Sequence, residues 1–307
     1  MEKSPARSQL LLGYLPNRMF QRLLLFCFLA HSAAYAQNTN DTLEFWGKRM
    51  LNDPNEHVRL AAQERVAALV DSLLLQPISW NLDFSGVKSI AILTAPDERF
   101  RMFNWNVPYN DGSYRFFGRI QIKPTKKAPY TVIRLHDASA EISKAGSKTL
   151  TPDQWFGALY YNIIRTSHKK NVYYTLLGWD GNTAFSNKKL VDVLKVEPGN
   201  TVVFGAPIFD DGKRSRHRVF FEHAERVTMS LRYQEKNNWI VFDHLAPSQP
   251  TLLGQYEFYG PDFTFDAFRW EKNRWKFMPD VDVRNESLNE GRQTKKPERG
   301  LRPPEKK

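Results

Sequence analysis

At 307 residues with 41% hydrophobic side chains, the chain is long enough to bury an ordinary core. Its single cysteine excludes a disulfide scaffold and a thiolate metal site. The net charge of +11 favours contact with anionic surfaces, yet a nucleic-acid binder would need a dense basic face interleaved with stacking aromatics, and none is concentrated here.

The N-terminal pattern is the most specific signal in the chain. Met19-Phe20-Gln21-Arg22 precedes an apolar run from Leu23 to Ala30 and an Ala34-Tyr35-Ala36 exit, the order of a secretory signal peptide cleaved between Ala36 and Gln37. The run is far shorter than the roughly 20 apolar residues that cross a bilayer, so no transmembrane segment is expected after cleavage. Cys27 sits inside the run between Phe26 and Phe28 rather than behind small residues, which makes it part of the leader and not a lipid attachment site. Met19 already begins a complete signal and is the expected start. Residues 1–36 hold four basic residues and one acidic residue, so their removal leaves 271 residues at +8. Residues 281–307 hold eight basic and five acidic residues, which leaves the body mildly basic at +5.

Two helices are predicted next. Asp41-Thr42-Leu43-Glu44 and Asp53-Pro54-Asn55-Glu56 each read as a capping box, an acidic cap followed three residues later by Glu, with Pro54 in the first turn of the second helix. Val58, Ala62, Val66, Leu69 and Leu73 recur at spacings of three and four, and Pro77 ends the helix. The stripe is narrow, so the helix is expected to pack on a larger body.

From about Val87 the period becomes two. Tyr114, Phe116, Ile120 and Ile122 alternate with Arg115, Phe117, Arg119 and Gln121, and Val227, Met229, Leu231 and Tyr233 alternate with Thr228, Ser230, Arg232 and Gln234, which predicts half-buried strands. Glu235-Lys236-Asn237-Asn238 reads as a four-residue hairpin connection before Trp239, and Glu271-Lys272-Asn273-Arg274 repeats the phrase before Trp275. About a dozen such runs are separated by turn clusters, among them Asn110-Asp111-Gly112, Asp180-Gly181-Asn182 and Asp210-Asp211-Gly212, with no helical crossovers between them. The predicted class is α+β, mainly β, with two N-terminal helices packed on a large antiparallel meandering sheet. Residues 37–280 form a single domain in this reading, and residues 281–307 a disordered basic tail too poor in apolar residues to order itself.

The candidate catalytic residues are Asp243, His244 and Asp180. Asp243 and His244 end a strand, where acid and base groups are often mounted, but neighbours on a strand face opposite ways unless the chain bends. The alternative role is structural, with Asp243 capping a turn and His244 hydrogen-bonded beneath it. His136-Asp137 is a second such dipeptide, and Ser139 with His244 and Asp180 would make a triad that no Gly-x-Ser-x-Gly motif supports. His217, Glu222 and His223 lack the spacing of a zinc helix, the two histidines falling about 20 Å apart on one strand at the usual rise per residue. Asp180-Gly181-Asn182 and Asp210-Asp211-Gly212 do not continue into calcium loops, so no metal and no cofactor is expected. Lys213 to Arg218 is the sharpest basic cluster and reads as a solvated hairpin tip. Aromatics are abundant, and Trp105, Tyr109 and Trp179, with the turn residue Asn182, are the candidate ligand-binding positions.

Phe100-Arg101-Met102-Phe103-Asn104-Trp105, Trp155-Phe156-Gly157-Ala158-Leu159-Tyr160-Tyr161, Tyr173 to Asp180, and Val241-Phe242-Asp243-His244-Leu245 resemble phrases in a family of exported Gram-negative proteins with no assigned activity. The resemblance spans roughly residues 40–285 and implies export, but no catalytic residues to carry over. The sequence therefore points to an exported, non-catalytic envelope or periplasmic protein with a binding or structural role. Its partner would be an envelope component or ligand, with weak contact to anionic membrane or glycan surfaces. Two alternatives are a glycan or ester hydrolase using Asp243 and His244 with Asp180, and a carrier holding an apolar ligand on an aromatic-lined curved sheet.

Overall fold

The computed structural model describes residues 39–126, 130–168 and 171–283. The segment read as a signal peptide, with Cys27, and the tail beyond residue 283 lie outside the described residues.

Two helices open the described chain, α1 over residues 39–52 and α2 over Glu56–Leu74. The capping box expected at Asp41 does not form, because the chain is already helical there. Glu44 instead turns away from its own helix and accepts from the amides of Lys88 and Ser89 at 2.8 and 3.0 Å. The cap of α2 is Asn55, whose side chain accepts from the His57 amide at 2.9 Å, and Pro54 stands before the helix. Asp53 shapes the approach by accepting from the Asn55 amide at 3.0 Å. The buried face holds Arg59, Ala62, Gln63, Val66, Val70 and Leu73. It is rotated toward Arg59 because that guanidinium donates to the Pro108 and Asp53 carbonyls and to Asn110 Oδ1, at 2.9, 2.8 and 2.7 Å.

The remaining chain is mainly β and antiparallel, as the alternating runs predict, and its strands are divided among three sheets. The first sheet is a meander of β1 (Ala91–Thr94), β2 (Phe100–Pro108), β3 (Tyr114–Ile122) and β4 (Thr131–His136). The second has the order β11-β7-β6-β5, from Val219–Ala224, Ser186–Val196, Asn171–Asp180 and Leu159–His168, with β8 (Val202–Phe204) paired to β7. The third comprises β9 (Phe209–Asp210), β10 (Ser215–Arg216), β12 (Leu231–Gln234), β13 (Trp239–Pro247), β14 (Tyr259–Glu271) and β15 (Arg274–Met278). Its one parallel pairing joins β9 to β15.

The layers stack as helices, first sheet, second sheet and third sheet. Leu43 and Met50 of α1 and Ala62, Val66 and Val70 of α2 pack on Phe103, Trp105 and Val107 of β2. The opposite face of the first sheet, including Phe100, Met102, Phe116 and Ile120, meets Tyr160, Tyr174, Leu176 and Leu190 of the second. The far face of the second sheet, with Leu177, Val191 and Val193, meets Ile240, Phe242, Phe268 and Trp275 of the third. Buried side chains fix the layers against sliding. Asn104 Oδ1 accepts from the Tyr160 amide at 2.7 Å, at a bulge in β5, and Trp275 Nε1 donates to Thr175 Oγ1 at 2.9 Å.

The expected half-burial of β3 gives way to burial on both faces. Arg119 and Gln121 point into the helical layer, where Arg119 Nε and Nη2 meet the Asp71 carboxylate at 2.6 and 3.1 Å and Gln121 donates to Ser79 Oγ at 2.7 Å. The connection at Glu235 to Asn238 is the four-residue hairpin expected, with Gln234 opposite Trp239 and Asn238 at φ 54°. At the second phrase the loop is tighter, because Glu271 and Arg274 already pair and only Lys272 and Asn273, at φ 48° and 71°, turn the chain.

Candidate functional site

A polar cleft of about 650 Å³ lies at one end of the first and second sheets. Its walls come from three connections, the β2–β3 hairpin, the segment after β4 and the β6–β7 turn. The two hairpin tips touch. A Cβ on Gly112, which has φ +83°, would lie 2.7 Å from the Ala184 Cβ, so the β2–β3 tip rests against the β6–β7 turn. Asp111 stiffens that tip by accepting from the Ser113 amide and hydroxyl at 2.9 and 2.6 Å.

Asp137 organises the second wall. One carboxylate oxygen accepts from the Phe116 amide at 3.0 Å, and the other from the Ser139 amide and hydroxyl at 3.0 and 2.7 Å and from the Gly157 amide at 3.2 Å. This approach requires glycine at 157, since a Cβ there would fall 2.3 Å from the Asp137 Cγ. Asp137 thus joins the edge of β3 to the loop leading to β5.

The third wall carries the acid and amide groups. Asp180 is 7% exposed and accepts from the Asn182 amide at 2.8 Å. Burial raises its carboxyl above the ordinary range, the Asn182 amide and the Lys188 charge oppose that rise, and the charges of Asp137 and Glu222 add to it. Asn182, at φ 45°, donates from Nδ2 to Ser186 Oγ and Glu222 Oε1 at 2.7 and 3.0 Å, and accepts from Lys188 Nζ at 2.5 Å. Lys188 and Glu222 stand directly opposite across β7 and β11, with Nζ 3.8 Å from Oε2. Tyr109, Tyr114 and Phe156 supply aromatic surface to the lining. Tyr114 packs edge-on against Trp179, centroids 5.1 Å apart, and the Arg115 guanidinium lies 5.6 Å from the Tyr109 centroid.

The residues singled out from sequence divide clearly. Asp180, Asn182 and Tyr109 line this cleft together, with Asp137 and Ser139, and Trp179 backs it through Tyr114. Trp105 is fully buried, stacked on Phe117 at 6.0 Å beneath the helices, and belongs to the core. Asp243 and His244 do not line the cleft. Asp243 Oδ2 accepts from the Ser230 amide at 2.7 Å, at a bulge in β13, while His244 Nδ1 lies 2.8 Å from Asp266 Oδ2. Hydrogen bonding to Asp266 raises the His244 imidazole above its ordinary value, burial opposes this, and the Asp266 and Asp262 charges reinforce it. The Ser139, His244 and Asp180 triad is not assembled, because His244 lies outside the cleft against Asp266, and the Ser139 hydroxyl donates to Asp137. His217 and His223 are not on one strand: β10 ends at Arg216, β11 begins at Val219, and Arg218 between them turns into the core. Among the described residues there is no group of three or more His, Cys, Asp or Glu side chains placed to hold a metal ion, and no helix is long and apolar enough to cross a membrane.

Lys188, Ser186 and Arg115 had no sequence signal as site residues, and Glu222 was weighed only as a metal ligand with His217 and His223. Lys188 and Glu222 meet only through strand register, Ser186 joins them through Glu222, and Arg115 reads as the polar side of a strand. Comparison with models of protein families, with curated proteins and with solved structures finds no match for this chain.

Proposed function

We propose that the chain is an exported binding protein of the bacterial envelope whose cleft holds a hydroxyl-rich glycan, neutral or amine-bearing. The observation that carries this reading is the composition of the cleft. Asp111, Asp137, Glu141 and Asp180 face Arg115 and Lys188, a local excess of acceptors and negative charge, beside the rings of Tyr109, Tyr114 and Phe156. Carboxylates and amides accept from sugar hydroxyls or amines, while aromatic rings cover the apolar faces of a pyranose. Export is supported by the order of charge, apolar run and small residues over 19–36, and the basic surface suits weak contact with anionic envelope components.

Titration calorimetry with glucan, chitin and deacetylated chitin oligosaccharides tests the cleft. Saturable binding by at least one class is expected, weakened about tenfold or more, 1.4 kcal/mol, by Tyr109→Ala. Failure of every class to bind, or unchanged affinity in that variant, would overturn the reading. N-terminal sequencing of protein from the envelope fraction tests export: Gln37 is the expected first residue, and Met1 or Met19 retained on cytoplasmic protein would refute it.

The raised Asp180 carboxyl favours a second reading, in which the same cleft hydrolyses a glycan with Asp180 as proton donor. Release of reducing ends from a bound oligosaccharide, lost in Asp180→Asn, would select it over simple binding.

A further inference from the structure

A second cavity, about 320 Å³, opens between the middle and third sheets and is lined chiefly by phenylalanine. It is separate from the polar cleft and shares no lining residue with it. Phe221 and Phe242 face one another at 4.4 Å across the two sheets, Phe242 and Phe268 lie 5.4 Å apart, and Phe277 completes the wall at 5.8 Å from Phe268. Such a cluster ordinarily closes on itself, yet Phe277 remains 36% exposed at the edge of β15. The mouth is formed by the β9–β10 hairpin, which places Asp211, Lys213 and Arg216 against this apolar wall.

The charge of that mouth is selective. Asp211 is already engaged: it accepts from the Lys213 and Arg214 amides at 3.0 and 2.9 Å and lies 3.2 Å from Arg216 Nε. Backbone hydrogen bonds, with help from Arg216, hold its carboxyl below the ordinary range. Lys213 forms no ion pair among the described residues, so the free charge at the rim is positive. An apolar slot with a cationic rim complements a molecule that is hydrocarbon at one end and anionic at the other.

We propose that this groove binds a free single-chain fatty acid, its hydrocarbon against Phe221, Phe242, Phe268 and Phe277 and its carboxylate beside Lys213. The volume lies at the small end of the roughly 300–1,000 Å³ range of small-molecule sites, which suits one chain rather than a two-chain lipid. The basic run from Lys213 to Arg218 is then divided in use. Lys213 and Arg216 face the groove, Arg214 braces Asp211 with Nε 3.9 Å from its carboxylate, and Arg218 is buried as a core ion pair.

The test is calorimetric titration of the full chain with dodecanoate and with dodecanol, in the original sequence and in Phe277→Asp and Lys213→Glu, with circular dichroism as the check on folding. Both substitutions fall on exposed positions, so the folded state is expected to persist. Saturable binding of dodecanoate is expected, with Phe277→Asp lowering affinity for acid and alcohol at least about tenfold. Lys213→Glu should weaken the acid at least about fivefold and leave the alcohol unchanged. No saturable dodecanoate binding, or unchanged binding in folded Phe277→Asp, overturns the site. Equal effects of Lys213→Glu on acid and alcohol overturn the headgroup assignment. Binding to anionic phospholipid vesicles without binding of monomeric dodecanoate would replace the proposal with membrane docking.

Discussion

Removing the Asp192 carboxylate should be among the most damaging single changes in the core. Asp192 and Arg218 are both 0% exposed and form an ion pair between the first and second sheets' interior, with Nε 3.1 Å from Oδ1. Asp192 also accepts from the Val193 amide at 2.7 Å and from the Tyr160 hydroxyl at 3.1 Å, while Arg218 Nη1 donates to the Ala145 and Lys148 carbonyls. Burial, and next the Asp192 charge, push the Tyr160 hydroxyl well above its ordinary range, so it remains a neutral donor. Asp192→Ala strands a guanidinium in a water-poor interior, where breaking a buried pair costs about 3–5 kcal/mol. For a domain of this size that corresponds to a loss of roughly 6–20 °C in melting temperature. Tyr160→Phe removes one neutral hydrogen bond and should cost about 1 kcal/mol.

The double substitution Asp192→Leu with Arg218→Met separates charge from packing. If the penalty in Asp192→Ala comes from the uncompensated charge, replacing both ions by apolar side chains of similar bulk should restore most of the stability. Urea denaturation followed by tryptophan fluorescence measures all three proteins. A loss below about 1 kcal/mol for Asp192→Ala, or a double variant as unstable as the single one, would refute the reasoning.

Three further outcomes follow from the sites. Asp180→Asn should leave the melting temperature at neutral pH unchanged or raised, because an acid whose folded value is raised loses stability as pH climbs above its unfolded value; a drop of several degrees would show that the charge itself holds the cleft. Asp243→Ala should lower stability by about 1 kcal/mol or more, since it strands the Ser230 amide, and an unchanged denaturation midpoint would contradict that structural role. His244 has a raised folded value, so its pairing with Asp266 is fully stabilising below pH 6.5 and is lost as pH rises through the folded value above it. The difference in melting temperature between the original sequence and Asp266→Asn should therefore shrink as pH climbs between about 5 and 8; a constant difference would sink the assignment.

The fold was legible wherever one residue type has one meaning. The turn residues Glu235 to Asn238 marked the four-residue hairpin and the period change near Val87 the shift from helices to strands, but the alternation from Val227 overran, since only Leu231–Gln234 is strand and residues 227–230 are not. Reading failed where a polar residue is buried. Arg59, Arg119 and Gln121 look like a solvent face, and each instead reaches a partner 42 to 49 residues away in sequence. Asp53 and Asp41 carry the residue types of helix caps, yet tertiary donors at Lys88 and Ser89 captured Glu44 and the turn at Asp53 moved the cap to Asn55. The cleft was half legible for the same reason. Turn chemistry marks Asp180 and Asn182, but only the register of β7 against β11 brings Lys188 to Glu222; outside the cleft, the pairing of β13 with β14 likewise supplies Asp266 to His244.

The cleft and the chain differ in sign, and the difference separates two kinds of recognition. A net charge of +11, or +8 without residues 1–36, favours anionic surfaces from a distance, but such attraction fades over a Debye length of about 8 Å at physiological salt. Within that distance a ligand meets the local groups of the cleft, four carboxyls against two cations. Anionic ligands held near the protein by its global charge are thus disfavoured at the cleft, whereas hydroxyl and amine donors are not. The phenylalanine groove has the reverse local polarity, with a cationic rim. Under the glycan and fatty-acid proposals, two ligand classes would bind without competition, because the middle sheet presents one cavity at the edge of each of its two buried faces.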